Sequence, residues 1–412
     1  MRPGRLAAVS GYAPGVLVPS ARFIHFLPDP FISHSFSINR GERNENVYMQ
    51  PIMNSVPRGL LAAALVITLS LCATVTMSPA TLSGWASLVL VAMVPTQVVS
   101  GLLWKNGYPR TSALLPQPAR GLLQLAMTIA IGACVAFTVL HTLGGGAPTP
   151  FAIMFLILSV PVTFCLVAVW GAWPLRCFVR NEGLLGLALL AAAYAVTYLL
   201  FRTLFSFSFA SQAPFYRSAL DPHGAFAAWY PLAAALDALV FMLIGVLFDF
   251  WPVAALARRF PLMGGQPAAG IAVSIGVATC AALLWHGFVD LLAMEVVMFM
   301  TRICVCTIFG IFVVLVMLEG LPALQVPQPL RGVLLTAVAV ATGQAAFVLY
   351  GLVAERTFHL LPGAPAYALE LWLASSMLSV TFPAMVLFAQ YFQFWPLASR
   401  GNPIAAPHCD TA

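Results

Sequence analysis

Asp237 is the residue whose type and place most invite chemistry. It lies inside the apolar stretch 230–251, flanked by Ala233-Ala234-Ala235-Leu236 and Ala238-Leu239-Val240. An isolated carboxylate there is strongly disfavoured unless it is protonated, paired with a cation or hydrated. It reads either as a proton- or cation-handling group facing the inside of a bundle, or as a structural hydrogen-bonding group. Glu370 opens the stretch 368–391 and Arg302 stands near the start of 300–320. Asp290 and Glu295 lie around the turn between 270–291 and 300–320. With Arg202 and Arg356 these groups could line a polar vestibule at one end of the bundle. Solvation at a membrane interface is the plainer account.

Prolines supply a second kind of candidate. Pro95, Pro161 and Pro383 stand mid-stretch, and Pro161 and Pro383 each precede a further proline, Pro174 and Pro396, by 13 residues. A proline inside a helix removes one backbone hydrogen bond and kinks the axis. Carbonyls freed that way can hold a substrate or an ion where they line a cavity, though neighbouring helices often fill the gap. Pro161 and Pro383 therefore join Asp237, Glu370 and Arg302 as candidate substrate- or ion-pathway residues.

Redox and metal chemistry find less support. Of the seven histidines, only His286 falls inside an apolar stretch, at its end, with His141 and His359 near other ends on the same side. None has a partner at the i, i+4 spacing that places two ligands on one helix face. The eight cysteines contain no C-x-x-C pair, and most sit in apolar stretches where Cys acts as a small hydrophobe. No phosphate-binding loop, zinc-protease pattern or nucleophile elbow is present. No catalytic residue, cofactor or metal is expected.

The elements that must position these groups are set by composition. Only 8% of the 412 residues are charged and 61% are hydrophobic, against about 25% charged in a soluble domain. Lipid is the natural solvent for such a surface. The net charge of +6 is spread thinly between apolar stretches rather than gathered into a groove, so nucleic acid is not an expected partner. A helix needs about 20 apolar residues to cross the hydrocarbon core. Ten such spans are expected: 59–77, 84–104, 121–141, 151–173, 183–204, 230–251, 270–291, 300–320, 332–353 and 368–391. Their length excludes a β-barrel, whose strands are about ten residues.

The spans recur in pairs. Gln117-Pro118-Ala119-Arg120-Gly121 returns as Gln328-Pro329-Leu330-Arg331-Gly332 and as Gln266-Pro267-Ala268-Ala269-Gly270. Glycines at 59, 121, 183, 270 and 332 open the odd-numbered spans, in steps of 62, 62, 87 and 62. Three of the five even-numbered spans end on Trp173-Pro174, Phe250-Trp251-Pro252 and Phe394-Trp395-Pro396; the first ends at Trp104 and Pro109, and the fourth at Gly320-Leu321-Pro322 without the Trp. This pattern predicts an all-α membrane protein of five parallel-repeat helical hairpins, about 58–109, 119–174, 182–252, 268–322 and 330–396. Apart from the tail, the side with the Gln-Pro segments carries ten Lys and Arg, the other side four, and the tail adds five arginines. That asymmetry predicts cytoplasmic termini, in a bacterial inner membrane. Residues 1–57 read as a disordered tail, left untranslated if Met49 or Met53 is the start, and 401–412 as a second cytoplasmic tail. The expected function is a permease or secondary transporter of a small molecule or ion, with the lipid bilayer as its partner. The alternatives are a membrane redox or cofactor-binding protein and a non-transporting scaffold or partner subunit. Substrate, energy coupling and oligomeric state leave no mark in the sequence.

Overall fold

Lipid offers the backbone no hydrogen-bond partner, so apolar stretches of this length must satisfy themselves as helices. The computed structural model describes residues 55–260, 265–322 and 324–397. Within them, ten helices are long and apolar enough to cross a membrane: α1 (Val56–Val75), α2 (Pro79–Leu103), α3 (Ala119–Thr142), α4 (Pro150–Val169), α5 (Glu182–Leu204), α6 (Trp229–Leu247), α7 (Ala268–Leu291), α8 (Val296–Met317), α9 (Leu330–Phe358) and α10 (Ala368–Tyr391). Each coincides with an expected span to within a few residues. Helix α6 stops short of 251 because Asp249 and Phe250 take left-handed backbone, at φ 50 and 48. The tail expected at 1–57 lies outside the described residues except for its last three, which already belong to the first helix. The tail at 401–412 lies outside them altogether.

The even-numbered helices form an inner ring. Helix α2 packs on α4, α4 on α6, α6 on α8, α8 on α10, and α10 back on α2. Odd-numbered helices fill the grooves outside: α3 between α2 and α10, α5 between α4 and α2, α7 between α6 and α4, α9 between α8 and α6, and α1 between α10 and α8. Burial follows the same division, 50% to 78% of each inner span against 17% to 39% of each outer one.

The Gln-Pro segments explain how an outer helix docks. The Gln266 side chain donates from Nε2 to the Val169 carbonyl at the end of α4 (2.9 Å) and accepts at Oε1 from the Gly270 N–H (3.1 Å). Gln328 repeats both bonds with the Leu247 carbonyl at the end of α6 (3.0 Å) and the Gly332 N–H (3.0 Å). Gln117 donates to the Tyr391 carbonyl at the end of α10 (2.8 Å). One amide thus satisfies an orphan helix-start N–H and an orphan helix-end carbonyl together. The glycines bring the backbones together: a Cβ on Gly121 would lie 2.7 Å from the Phe392 ring, and one on Gly332 2.5 Å from the Phe248 ring. Helix α5 docks differently. Asn181 caps its first turn, and the Trp104 indole at the end of α2 donates to the Glu182 carbonyl (2.8 Å). At α1, Arg58 pairs with Glu319 beyond the end of α8 (3.6 Å).

Inner helices also end alike. Helices α2, α4, α8 and α10 each finish in a five-residue π-helical turn, at Val99–Leu103, Cys165–Val169, Val313–Met317 and Leu387–Tyr391. In α2, α4 and α10 that turn begins four residues after Pro95, Pro161 and Pro383. All five inner helices are then followed by a left-handed pair: Lys105-Asn106, Gly171-Ala172, Asp249-Phe250, Glu319-Gly320 and Gln393-Phe394. At the opposite end, the long α5–α6 connection is an ordered cover. Two short parallel strands, β1 (Phe205–Ser206) and β2 (Phe226–Ala227), tie its ends together.

Candidate functional site

A cavity of about 290 Å³ runs along the axis of the inner ring at the Gln-Pro end. All five inner helices line it, among them Gln97 and Gly101 of α2, Phe164 and Ala168 of α4, Val246 of α6, Phe312 of α8, and Phe382 and Gln390 of α10. No residue of an outer helix lines it apart from Glu182 in the first turn of α5. The exposed side chains of Lys105, Arg176 and Glu182 rim its mouth. Phe312 and Phe382 close over its deep side, their ring centroids 4.1 Å apart. The wall between is apolar except for two amides. Gln97 is 2% exposed, and neither its Nε2 nor its Oε1 has a partner within the protein. The Oε1 of Gln390 is likewise buried and unpartnered.

Proline and π-turn shape this wall. The π-helical turns after Pro95 and Pro383 contain Gly101 and Gln390. Insertions of this kind widen a helix and re-aim side chains, and they concentrate at functional sites. Gln97 and Gly101 are four apart and so share one face of α2. A Cβ on Gly101 would lie 2.5 Å from the Gln390 Oε1, so the absent side chain leaves the room that Gln390 occupies. The two amides are thereby set on one wall, about one helical turn (~6 Å) apart in depth.

The residues singled out by sequence are not gathered in one place. Asp237 is 1% exposed, and its Oδ1 has no partner within the protein. It faces the bundle interior as expected, but it lies six residues from Leu243, the nearest α6 residue in the cavity wall, or about 9 Å along the axis. Glu370 is buried and accepts from the Gly363 N–H (2.9 Å), which ties the loop before α10 to its first turn. Arg302 is exposed on the outside of α8, its guanidinium over the Phe347 ring of α9 at 5.5 Å. Pro161 and Pro383 are buried in the inner ring, one turn before the π-helical turns. Asp290 bonds the His286 ring (2.9 Å) and Glu295 accepts from the Tyr367 hydroxyl (2.8 Å), so the acids of that end are engaged locally rather than in a shared vestibule. The bond to Glu295, with partial burial and the charges of Glu295 and Glu370, pushes the Tyr367 phenol above its ordinary 10.0. His141 and His286 are exposed on α3 and α7, and His359 is exposed just past the end of α9.

Two groups of residues escaped the sequence reading. Gln97 and Gln390 carry no charge, and in an apolar span an amide stands out less than an ionisable group. An amide two residues after a mid-span proline, in Pro95-Thr96-Gln97, was the available signal. Asp221 organises the far cover: 3% exposed, it accepts from the Phe207 N–H (3.1 Å), the His223 N–H (3.0 Å) and the Tyr216 hydroxyl (3.1 Å). Phe207, held by that bond, packs on Phe151 at the start of α4, with ring centroids 4.4 Å apart. Phe209, Trp229 and Tyr367 continue the aromatic cover toward α10.

No family model, curated protein or solved structure matches the chain.

Proposed function

We propose that the chain is a multi-pass permease or secondary transporter of a small substrate, with the axial cavity as its vestibule. One observation carries this reading: all five inner helices, and almost nothing else, enclose an axial space that is open at the Gln-Pro end and roofed by aromatic rings at depth. A bundle built only as a scaffold has no reason to leave its axis unpacked, since interiors pack to crystal-like density. The surrounding membrane is the lipid bilayer of a bacterial inner membrane. The vestibule faces the cytoplasm, as the excess of Lys and Arg at that end favours. Five parallel two-helix repeats account for the ring, and the recurrent Gln-Pro docks and π-helical ends support that origin.

The test is solute flux into proteoliposomes holding the purified full chain, across a panel of neutral amides, alcohols, amino acids and inorganic ions. At least one solute should cross faster than in empty liposomes, and Ala168→Trp, which fills the vestibule, should abolish the difference. A scaffold would accelerate none. Flux indifferent to Ala168→Trp would place the path elsewhere and sink the reading.

A further inference from the structure

The cavity wall carries more information than its existence. Its ionisable lining residues, Lys105, Arg176 and Glu182, all stand at the exposed mouth. Deeper in, Gln97 and Gln390 are the polar side chains among Val98, Phe164, Phe312, Phe382 and Val386. A glutamine side chain offers two donors and a carbonyl acceptor. Both ends of the Gln97 amide are buried and unpartnered, and the Gln390 carbonyl oxygen is too. Polar groups in that state demand a partner, because leaving them unpaired in a low-dielectric space is expensive.

We propose that Gln97 and Gln390 form the recognition point of the cavity, and that its occupant is an uncharged, largely apolar molecule whose polar head both donates and accepts a hydrogen bond, as a primary carboxamide does. This rests on reading the cavity as a ligand vestibule. The choice of class follows by elimination. A carboxylate or ammonium at the depth of Gln97 meets no counter-charge, and burying an unpaired ion is strongly disfavoured. A hydrocarbon would satisfy the apolar wall but strip water from Gln97 and leave its amide unpaired. A head that both donates and accepts matches the amide, while a small apolar body fills a chamber of about 290 Å³. Gly101 belongs to the device, since any larger residue there would displace the Gln390 amide from the wall.

Binding can be read without flux. The full chain in nanodiscs is titrated with three probes of one ring size, benzamide, benzoate and toluene, by saturation-transfer NMR at neutral pH. Benzamide should bind at least tenfold more tightly than benzoate. Gln97→Leu should weaken benzamide about tenfold while tightening toluene. Gln390→Met, an independent substitution in case the first impairs folding, should weaken benzamide and spare toluene. Benzoate binding as tightly as benzamide would overturn the proposal, as would no benzamide binding, or an unchanged ranking in both variants. The flux assay keeps the two readings apart. Flux blocked by Ala168→Trp with probe ranking indifferent to both glutamines removes the amide site and leaves the vestibule. The expected ranking with no flux of any solute leaves a binding site and removes the transporter.

Discussion

Helices α1 and α2 are equally apolar, yet 33% of one and 78% of the other is buried. The same contrast separates the whole outer ring from the whole inner ring. In a soluble protein, burial and hydropathy rise together because water is the alternative. Here the alternative is lipid, which is as apolar as the core, so greasiness does not decide who goes inside. Shape and polarity decide instead. The inner helices hold the mid-span prolines, most of the π-helical turns and the buried Thr96, Gln97, Ser159, Asp237 and Ser376. The outer helices contribute glycines and fewer buried polar groups, such as Gln124, Thr128 and Thr197, where they meet the inner ones, and bulky side chains elsewhere.

The largest effects should come where the two rings approach most closely. Gly310 of α8 and Gly343 of α9 face each other's backbones: a Cβ on Gly310 would fall 1.9 Å from the Ala339 carbonyl oxygen, and one on Gly343 2.1 Å from that of Cys306. No side-chain movement relieves a clash with backbone. Gly310→Leu and Gly343→Leu should each destabilise by about 3 kcal/mol or more, read as thermal unfolding in detergent. Gly276 and Gly351, on outer helices with open space around them, should accept Ala with a gain of roughly 0.5–1 kcal/mol from helix propensity. Equal effects at the two kinds of position would dissolve the distinction between the rings.

Asp237 sharpens the comparison functionally. If its buried carboxyl handles a proton or cation during transport, Asp237→Asn should remove at least nine-tenths of the flux while protein accumulation stays normal. Asp237→Leu should lower accumulation as well, since it deletes the hydrogen-bonding group. Normal flux in both variants would make the residue a bystander. A smaller effect belongs to the docks. Gln266→Ala strips one hydrogen bond to an inner helix and one to the first turn of its own outer helix; Gln328→Ala strips the same two and a third to the Asp249 carboxylate; each should cost about 1–2 kcal/mol. Thr279→Ala, on the exposed face of α7, should stay within about 0.5 kcal/mol.

What was legible in the sequence divides along the same line. Ten helices could be read because length and apolarity are forced by the bilayer, and the boundaries moved only where left-handed residues or a longer helix intervened, as at Phe250 and Phe358. The Gln-Pro recurrence marked the places where outer helices dock, although the reason, one amide bridging two helix ends, lies in packing between segments far apart in the chain. The ring order was not legible, because α1 and α2 carry the same hydropathy. Nor was the cavity, whose wall is assembled from residues such as Gln97, Ala168, Val246, Phe312 and Gln390 on five separated segments. Charge drew attention to Arg302 and Glu370, but a guanidinium can lie over an aromatic ring outside the bundle, and a carboxylate can serve a loop N–H.

The far cover offers the gentlest test, because there water rather than lipid is the alternative and ordinary titration applies. The Tyr216 phenol is pushed above its ordinary 10.0 by partial burial, then by its hydrogen bond to Asp221 and the charge of that carboxylate. The folded chain therefore holds this proton more tightly than the unfolded chain does. Below pH about 10 both states keep it, and the contribution of the bond is fully present. As pH rises beyond that, the unfolded chain loses the proton first, so stability falls, and it is lost as the folded-state value is passed. Ionised Tyr216 would also face the Asp221 carboxylate that holds Phe207 and His223. The Phe207 and His223 amides should accordingly lose exchange protection as pH rises above about 10, by more than base catalysis of exchange accounts for. Tyr216→Phe cannot ionise, and should show the weaker bond at all pH values with no alkaline step. A step of equal size in Tyr216→Phe would assign it to another group. No step in either protein would mean that Asp221 holds the cover without help from the phenol.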